Sequence, residues 1–143
     1  MFLKTHTAED RLKIWRDIRQ NKNLSLNDIL AEFSKIKQLS RYLDYYTPSS
    51  WPTPFEIVHE GYLCQSGITL VLTATLLDRK FVSEGKLELP VISNNINGNT
   101  GLVLIEEDKV FNFDPDRVVD LNYLKANSTR FQTHFLESDQ LFR

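Results

Sequence analysis

Cys64 is the one cysteine of the chain, and it stands just before a long uncharged run that continues to Leu77. A thiol reacts as its thiolate, and the free N–H groups and positive dipole end of a helix favour that form. Chemistry at an amide also needs an imidazole to move a proton and a carboxylate to orient the imidazole. The chain has three histidines, His6, His59 and His134, and none between residues 60 and 133. His59 lies five residues before Cys64 and could approach the thiol across Gly61. His134 sits in a tail without clear periodicity and would have to fold back. Asp114, which precedes Pro115, is the candidate orienting carboxylate. Each residue also has a plainer reading. Free cysteine is among the most buried residue types, a histidine on a short helix is commonly exposed, and Asp-Pro commonly ends a strand. No Cys/His cluster has metal-ligand spacing, so neither a metal nor a cofactor is expected.

The elements that would position these residues are legible from caps and periodicity. Thr7 to Asp10 and Ser25 to Asp28 read as capping boxes, each opening a helix. The stripes that follow are Leu12, Ile14, Trp15, Ile18, and then Leu26, Ile29, Leu30, Phe33, Ile36, Leu39. They predict an antiparallel helical hairpin over residues 1–46, the second helix ending near Tyr45-Tyr46. Two prolines then impose an ordered crossing at Thr47 to Pro52, with Trp51 buried. Thr53-Pro54-Phe55-Glu56 predicts a short helix with N-cap Thr53, closed by Gly61. A second helix starting at Leu63 or Cys64 is apolar on all sides and is expected in the centre of the core. Its threonines, Thr69, Thr73 and Thr75, can return their hydroxyls to backbone carbonyls.

From Lys86 the period changes to two. Leu87–Ile92, Leu102–Ile105 and Val110–Phe113 predict an antiparallel sheet of about three strands. Pro90 suggests an edge or bulge in the first. Asn97-Gly98 offers a positive-φ pair for the turn. Asp114-Pro115 closes the last strand, a weak helix spans Asp120 to Ala126, and Arg130 to Arg143 shows no period. The fold class is therefore α+β in one domain: a helical hairpin (1–46), a core (47–119) and a C-terminal extension (120–143).

The stretch from Trp51 to Gly61, followed by Cys64, resembles the bacterial transglutaminase-like (papain-like) cysteine peptidase pattern. That pattern opens a short helix with Thr-Pro-x-Glu and sets its nucleophilic cysteine at the start of the next helix. A strand histidine and an aspartate at the end of the following strand come later. The resemblance covers residues 51–119, roughly half the chain, and implies Cys64 as nucleophile and Asp114 in Phe111-Asn-Phe-Asp114 as the carboxylate. Gly101 stands where the family has its histidine, and Gln65-Ser66 stand where it has an acidic pair. A degenerate scaffold is therefore implied. The chain also resembles small uncharacterised proteins of T4-type tailed phages, most from Trp51 through Asp114. That implies an accessory, host-directed protein in the bacterial cytoplasm.

Composition sets the remaining bounds. Seventeen Lys and Arg against 19 Asp and Glu give a net charge of -2. No basic run exceeds two residues, so the electrostatic footprint for nucleic acid is missing. The Cys64–Leu77 run is too short to span a bilayer. Met1 to Thr7 lacks the apolar run of a secretory signal, and a single cysteine forms no internal disulfide, so a reducing cytoplasm is expected. Three functions stay open: a non-catalytic protein that binds another protein, a cysteine amide hydrolase or acyl transferase with a rebuilt base, and a virion component.

Overall fold

The computed structural model describes residues 2, 5–40, 43–61 and 63–142. Five helices stand with one mixed-length antiparallel sheet, so the α+β class holds. Helix α1 (Ala8–Gln20) and helix α2 (Leu26–Ser34) each begin at a complete capping box, on Thr7 and Ser25. In both, the side-chain oxygen of the cap accepts a backbone N–H and the third-residue aspartate accepts the cap's own. The two helices expected as a hairpin are both present, but α1 finds its main helical neighbours further along the chain.

Those neighbours are α3 (Pro54–Glu60) and α4 (Gln65–Asp78). Thr53 caps α3 with Glu56 in reciprocal contact, Pro54 takes the first helical position, and Gly61 ends it at φ 77°. Arg11 of α1 fastens this end: its Nε donates to the Val58 carbonyl at 2.8 Å and its Nη2 to the His59 carbonyl at 2.6 Å. The last carbonyls of a helix lack intrahelical partners, and a guanidinium satisfies two together. Trp15 Nε1 donates to Thr75 Oγ1 at 2.8 Å, tying α1 to the last turn of α4.

Helix α4 is buried from Ser66 to Leu77. Thr73 and Thr75 donate to the carbonyls four residues back, both at 2.7 Å, which is how hydroxyls enter an apolar core without unpaired donors.

The second helix ends earlier than its apolar stripe suggests. It stops at Ser34, and Ile36 and Leu43 enter the core from irregular backbone instead. Leu39 N–H donates to the Leu63 carbonyl, so tertiary pairing replaces the helical ladder here. Arg41 and Tyr42, within the expected helix, lie outside the described residues. Trp51 is buried as expected, its Nε1 donating to the Asp44 carbonyl at 2.7 Å.

The sheet has six strands rather than about three: β1 (Lys86–Asn94), β2 (Thr100–Leu102), β3 (Leu104–Glu106), β4 (Lys109–Asp114), β5 (Arg117–Asp120) and β6 (Ser128–Glu137). β1 is flanked by β6 on one side and by β2 and β3 on the other, with β4 and β5 beyond. Helix α5 (Leu121–Asn127) joins β5 to β6. Pro90 is therefore central, not at an edge. β2 and β3 are one strand broken at Val103, which the register sets opposite Pro90. Val103 N–H donates to the Pro90 carbonyl, and proline has no N–H to return. A bulge does accompany it, between Val91 and Ile92 against β6. The turn after β1 uses positive φ at Gly98 but not at Asn97.

The sheet has two apolar faces. Leu87, Leu89, Val91, Leu102, Leu104 and Phe111 pack with the helices. Val103, Ile105, Val110 and Phe113 pack on the opposite side with Val119 and Leu124, under α5. Ile68, Leu72, Leu76, Val103 and Phe111 are all buried, Val103 in this second cluster and the others in the first. No helix among the described residues is long and apolar enough to cross a membrane.

Candidate functional site

The site is built where the head of α4 meets β2 and β4. Cys64 is the N-cap of α4, with φ -75° and ψ 170°, and its Sγ accepts from Gly67 N–H at 3.4 Å. This is the geometry in which a helix terminus presents free amides to a sulfur. The cysteine is buried and borders a cavity of about 450 Å³. Gln38, Tyr45, Gln65, Ser66 and Asn99 line it as well, and no imidazole or carboxylate does so among the described residues.

Gln65 and Ser66 lock α4 to the sheet. Gln65 Nε2 donates to the Leu102 carbonyl at 2.7 Å, and Ser66 Oγ donates to Gln65 Oε1 at 3.2 Å. Ser66 Oγ in turn accepts Leu102 N–H at 3.1 Å. From β4, Asn112 Nδ2 donates to Thr69 Oγ1 at 2.8 Å and to the Gln65 carbonyl at 3.2 Å. Asn112 has φ 66°, in the left-handed region that asparagine tolerates better than most residues. β4 leaves regular register with β5 between Val110 and Asp114, which spans it.

Gly101 explains the shape of this lock. A Cβ placed there would fall on Gln65 Oε1, 2.9 Å from Gln65 Cδ and 3.1 Å from Ser66 Oγ. The Gln65 amide thus fills the space that a side chain at position 101 would need first. A glycine on β2 and a glutamine after the cysteine, two separate departures from the family pattern along the sequence, form one packed unit.

The remaining candidates lie elsewhere or are otherwise engaged. His59 is exposed on α3, its Nδ1 3.0 Å from Glu60 Oε1. His134 is buried on β6, opposite Leu89. Its Nε2 donates to the Tyr45 carbonyl at 2.7 Å, and its ring meets Trp51 edge-on at 5.4 Å. Tyr45 borders the Cys64 cavity; His134 does not. Asp114 uses its carboxylate in its own turn, accepting from Asp116 N–H at 2.9 Å and from Arg117 Nε at 3.1 Å. Asp114 and Cys64 share no hydrogen bond, and Asp114 does not line the cavity that Cys64 borders. Among the described residues, no group of three or more His, Cys, Asp or Glu is arranged to hold a metal ion.

Comparison with known proteins gives one kind of match. No family model matches the chain, and no curated protein matches it by sequence. Among solved structures it is similar to calcium-bound LapG of Legionella pneumophila, a transglutaminase-like cysteine protease. The TM-score is 0.67 at 10% identity, over 94% of this chain and 82% of that one. The chain has a transglutaminase-like fold, and the likeness extends well beyond residues 51–119.

Proposed function

We propose that this protein keeps a transglutaminase-like scaffold without its turnover and acts by binding another protein. One observation carries the reading: the Gln65 amide fills the space beside Gly101 where the family's strand histidine would begin. Proton transfer by a positioned base typically contributes ~10²–10⁴-fold, so a thiol without one is a poor hydrolase. The two histidines considered as substitutes, His59 and His134, are held by Glu60 and by the Tyr45 carbonyl. A fold commonly outlives the chemistry of its site. The resemblance of Trp51 through Asp114 to small phage proteins extends the reading to an accessory protein in an infected bacterial cytoplasm.

A second reading has one observation in its favour. Cys64 caps α4 and opens on a cavity of about 450 Å³, as a nucleophile would. In that case the Cys64 thiolate attacks an amide carbonyl, His59 or His134, rearranged and oriented by Asp114, takes the thiol proton and gives it to the departing amine as the C–N bond breaks, and water or an acceptor amine then releases the acyl group from the thioester. The calcium in the LapG structure is a property of that protein; here it motivates one added condition in the assay. Wild type and Cys64→Ser are compared for amide hydrolysis, with and without calcium, and for capture of a stoichiometric partner from the native cell. The binding reading expects equal capture and no turnover by either protein. Turnover by wild type that vanishes in Cys64→Ser overturns it in favour of the enzyme.

A further inference from the structure

The asparagine-rich turn from Asn94 to Thr100 takes no part in the chemistry at Cys64. It borders a second, narrower recess of about 90 Å³. Strands β2 and β4 do not pair with each other, and residues of both line this recess, which lies between them. Six side-chain amides line it: Gln38, Gln65, Asn94, Asn97, Asn99 and Asn112. Ile92, Val103 and Phe113, from the apolar cluster under α5, line it as well. Among the described residues no ionisable side chain does so. The recess shares Gln38, Gln65, Asn99 and Thr100 with the Cys64 cavity, so the two adjoin.

Several of these amide groups are spent on the fold. Gln65 Nε2 and Asn112 Nδ2 hold α4 to the sheet, and Asn97 Oδ1 accepts Asn99 N–H at 2.9 Å. Two others are free. Asn94 is only 7% exposed, and its Oδ1 accepts Ile96 N–H at 2.9 Å, but its Nδ2 meets no acceptor among the described residues. That Nδ2 is not sealed within the protein either, so it opens on the recess. Asn112 Oδ1 likewise accepts no hydrogen bond among the described residues. Groups so placed need a partner, because a buried donor or acceptor left alone is costly and rare.

We propose that this recess takes an uncharged carboxamide side chain, asparagine or glutamine, from a protein segment lying in the Cys64 cavity. It rests on the reading that this protein binds another protein, and it names what that partner offers. A carboxamide carries an acceptor and donors on one planar group, matching Asn94 Nδ2 and Asn112 Oδ1. Its methylene stem suits Ile92, Val103 and Phe113. The recess has room for several waters, hence for a carboxamide with its stem, whereas a lone hydroxyl leaves it part-filled. A carboxylate or ammonium would lose its hydration to a lining that offers no countercharge.

Capped alanine peptides with one central residue varied are titrated into the isotope-labelled full chain, up to ~5 millimolar, enough to read a Kd near ~1 millimolar. The Asn or Gln peptide should bind about tenfold or more tighter than the Asp, Lys, Ser and Ala peptides, and should move the Asn94 side-chain NH₂ resonances. Asn94→Asp keeps an acceptor for Ile96 N–H, removes the donor and adds a charge. It should transfer the preference to the Lys peptide. Should that variant fail to fold, the ranking and the Asn94 resonances of wild type decide. The proposal is overturned by no binding in wild type, by equal binding of all peptides, by a charged or hydroxyl residue binding best, or by unmoved Asn94 resonances, as water alone in the recess would give. The binding reading fails separately. A partner captured equally by wild type and Asn94→Asp keeps that reading and sinks this one; carboxamide-selective peptide binding without any captured partner does the reverse.

Discussion

Gly101→Ala should destabilise this protein, although alanine ordinarily improves a strand. Glycine inside a strand costs about 0.5–1 kcal/mol relative to alanine through backbone entropy. Gly101 lies outside the positive-φ residues, so alanine meets no backbone objection. The objection is the Gln65 amide, where the new Cβ would fall. Evicting it breaks the 2.7 Å bond to the Leu102 carbonyl and the 3.2 Å bond from Ser66, along with a long 3.4 Å contact to the Asn112 carbonyl that adds little. Neither of the first two partners is orphaned, because Thr69 Oγ1 still donates to Leu102 at 2.8 Å and Ser66 still accepts Leu102 N–H. At about 1 kcal/mol for each net bond, the loss is about 2 kcal/mol, and the balance is about 1–1.5 kcal/mol destabilising. In a Gln65→Ala background the main obstacle is gone, Ser66 Oγ at 3.1 Å need give by only a few tenths of an ångström, and the same change should stabilise by about 0.5–1 kcal/mol. The sign reverses between backgrounds, with a coupling near 2 kcal/mol. Urea unfolding of the four proteins measures it. Coupling under about 0.5 kcal/mol, within ordinary additivity, would refute the claim that these two residues share one space.

Leu72→Ala should cost about 2–5 kcal/mol, since Leu72 is buried on a helix enclosed on all sides; a loss below about 0.5 kcal/mol in denaturant melts would contradict that placement. Trp15→Phe removes the donor to Thr75 Oγ1 and should cost about 1–3 kcal/mol with the fold retained, read as a lower urea midpoint. Asp10 is held below the ordinary carboxylate range by the Thr7 backbone N–H first and the Thr7 hydroxyl second, and Asp28 likewise by Ser25. Their depressed values contribute stability that is present above the unfolded pKa of about 3.9 and lost as pH falls through the lower folded value. NMR titration should show both carboxylates below the ordinary aspartate value, and Thr7→Val should move Asp10 upward while leaving Asp28 in place.

The features legible along the chain are those that depend on residues a few positions apart. The capping boxes at Thr7, Ser25 and Thr53, the Gly61 stop and the all-apolar helix from Cys64 are local, since caps and periodicity act within one or two turns. The family resemblance of residues 51–119 pointed to the right fold for the same reason: its cap, turn and cysteine are contiguous. The end of α2 was not legible, because the chain after Ser34 pairs with distant backbone, Leu39 N–H donating to the Leu63 carbonyl, and Ile36 and Leu43 enter the core from that irregular segment rather than by helical continuation. Strand β6 was hidden by its own exposure: an edge with only His134 fully buried shows no alternation to read. Pro90 looked like an edge residue, and only the break at Val103 across the sheet allows it a central place. At the site, Cys64 and Gly101 were each visible. Their relation was not, because 36 positions separate Gln65 from Gly101 and only the packing of α4 on β2 sets the amide of one into the space left by the other.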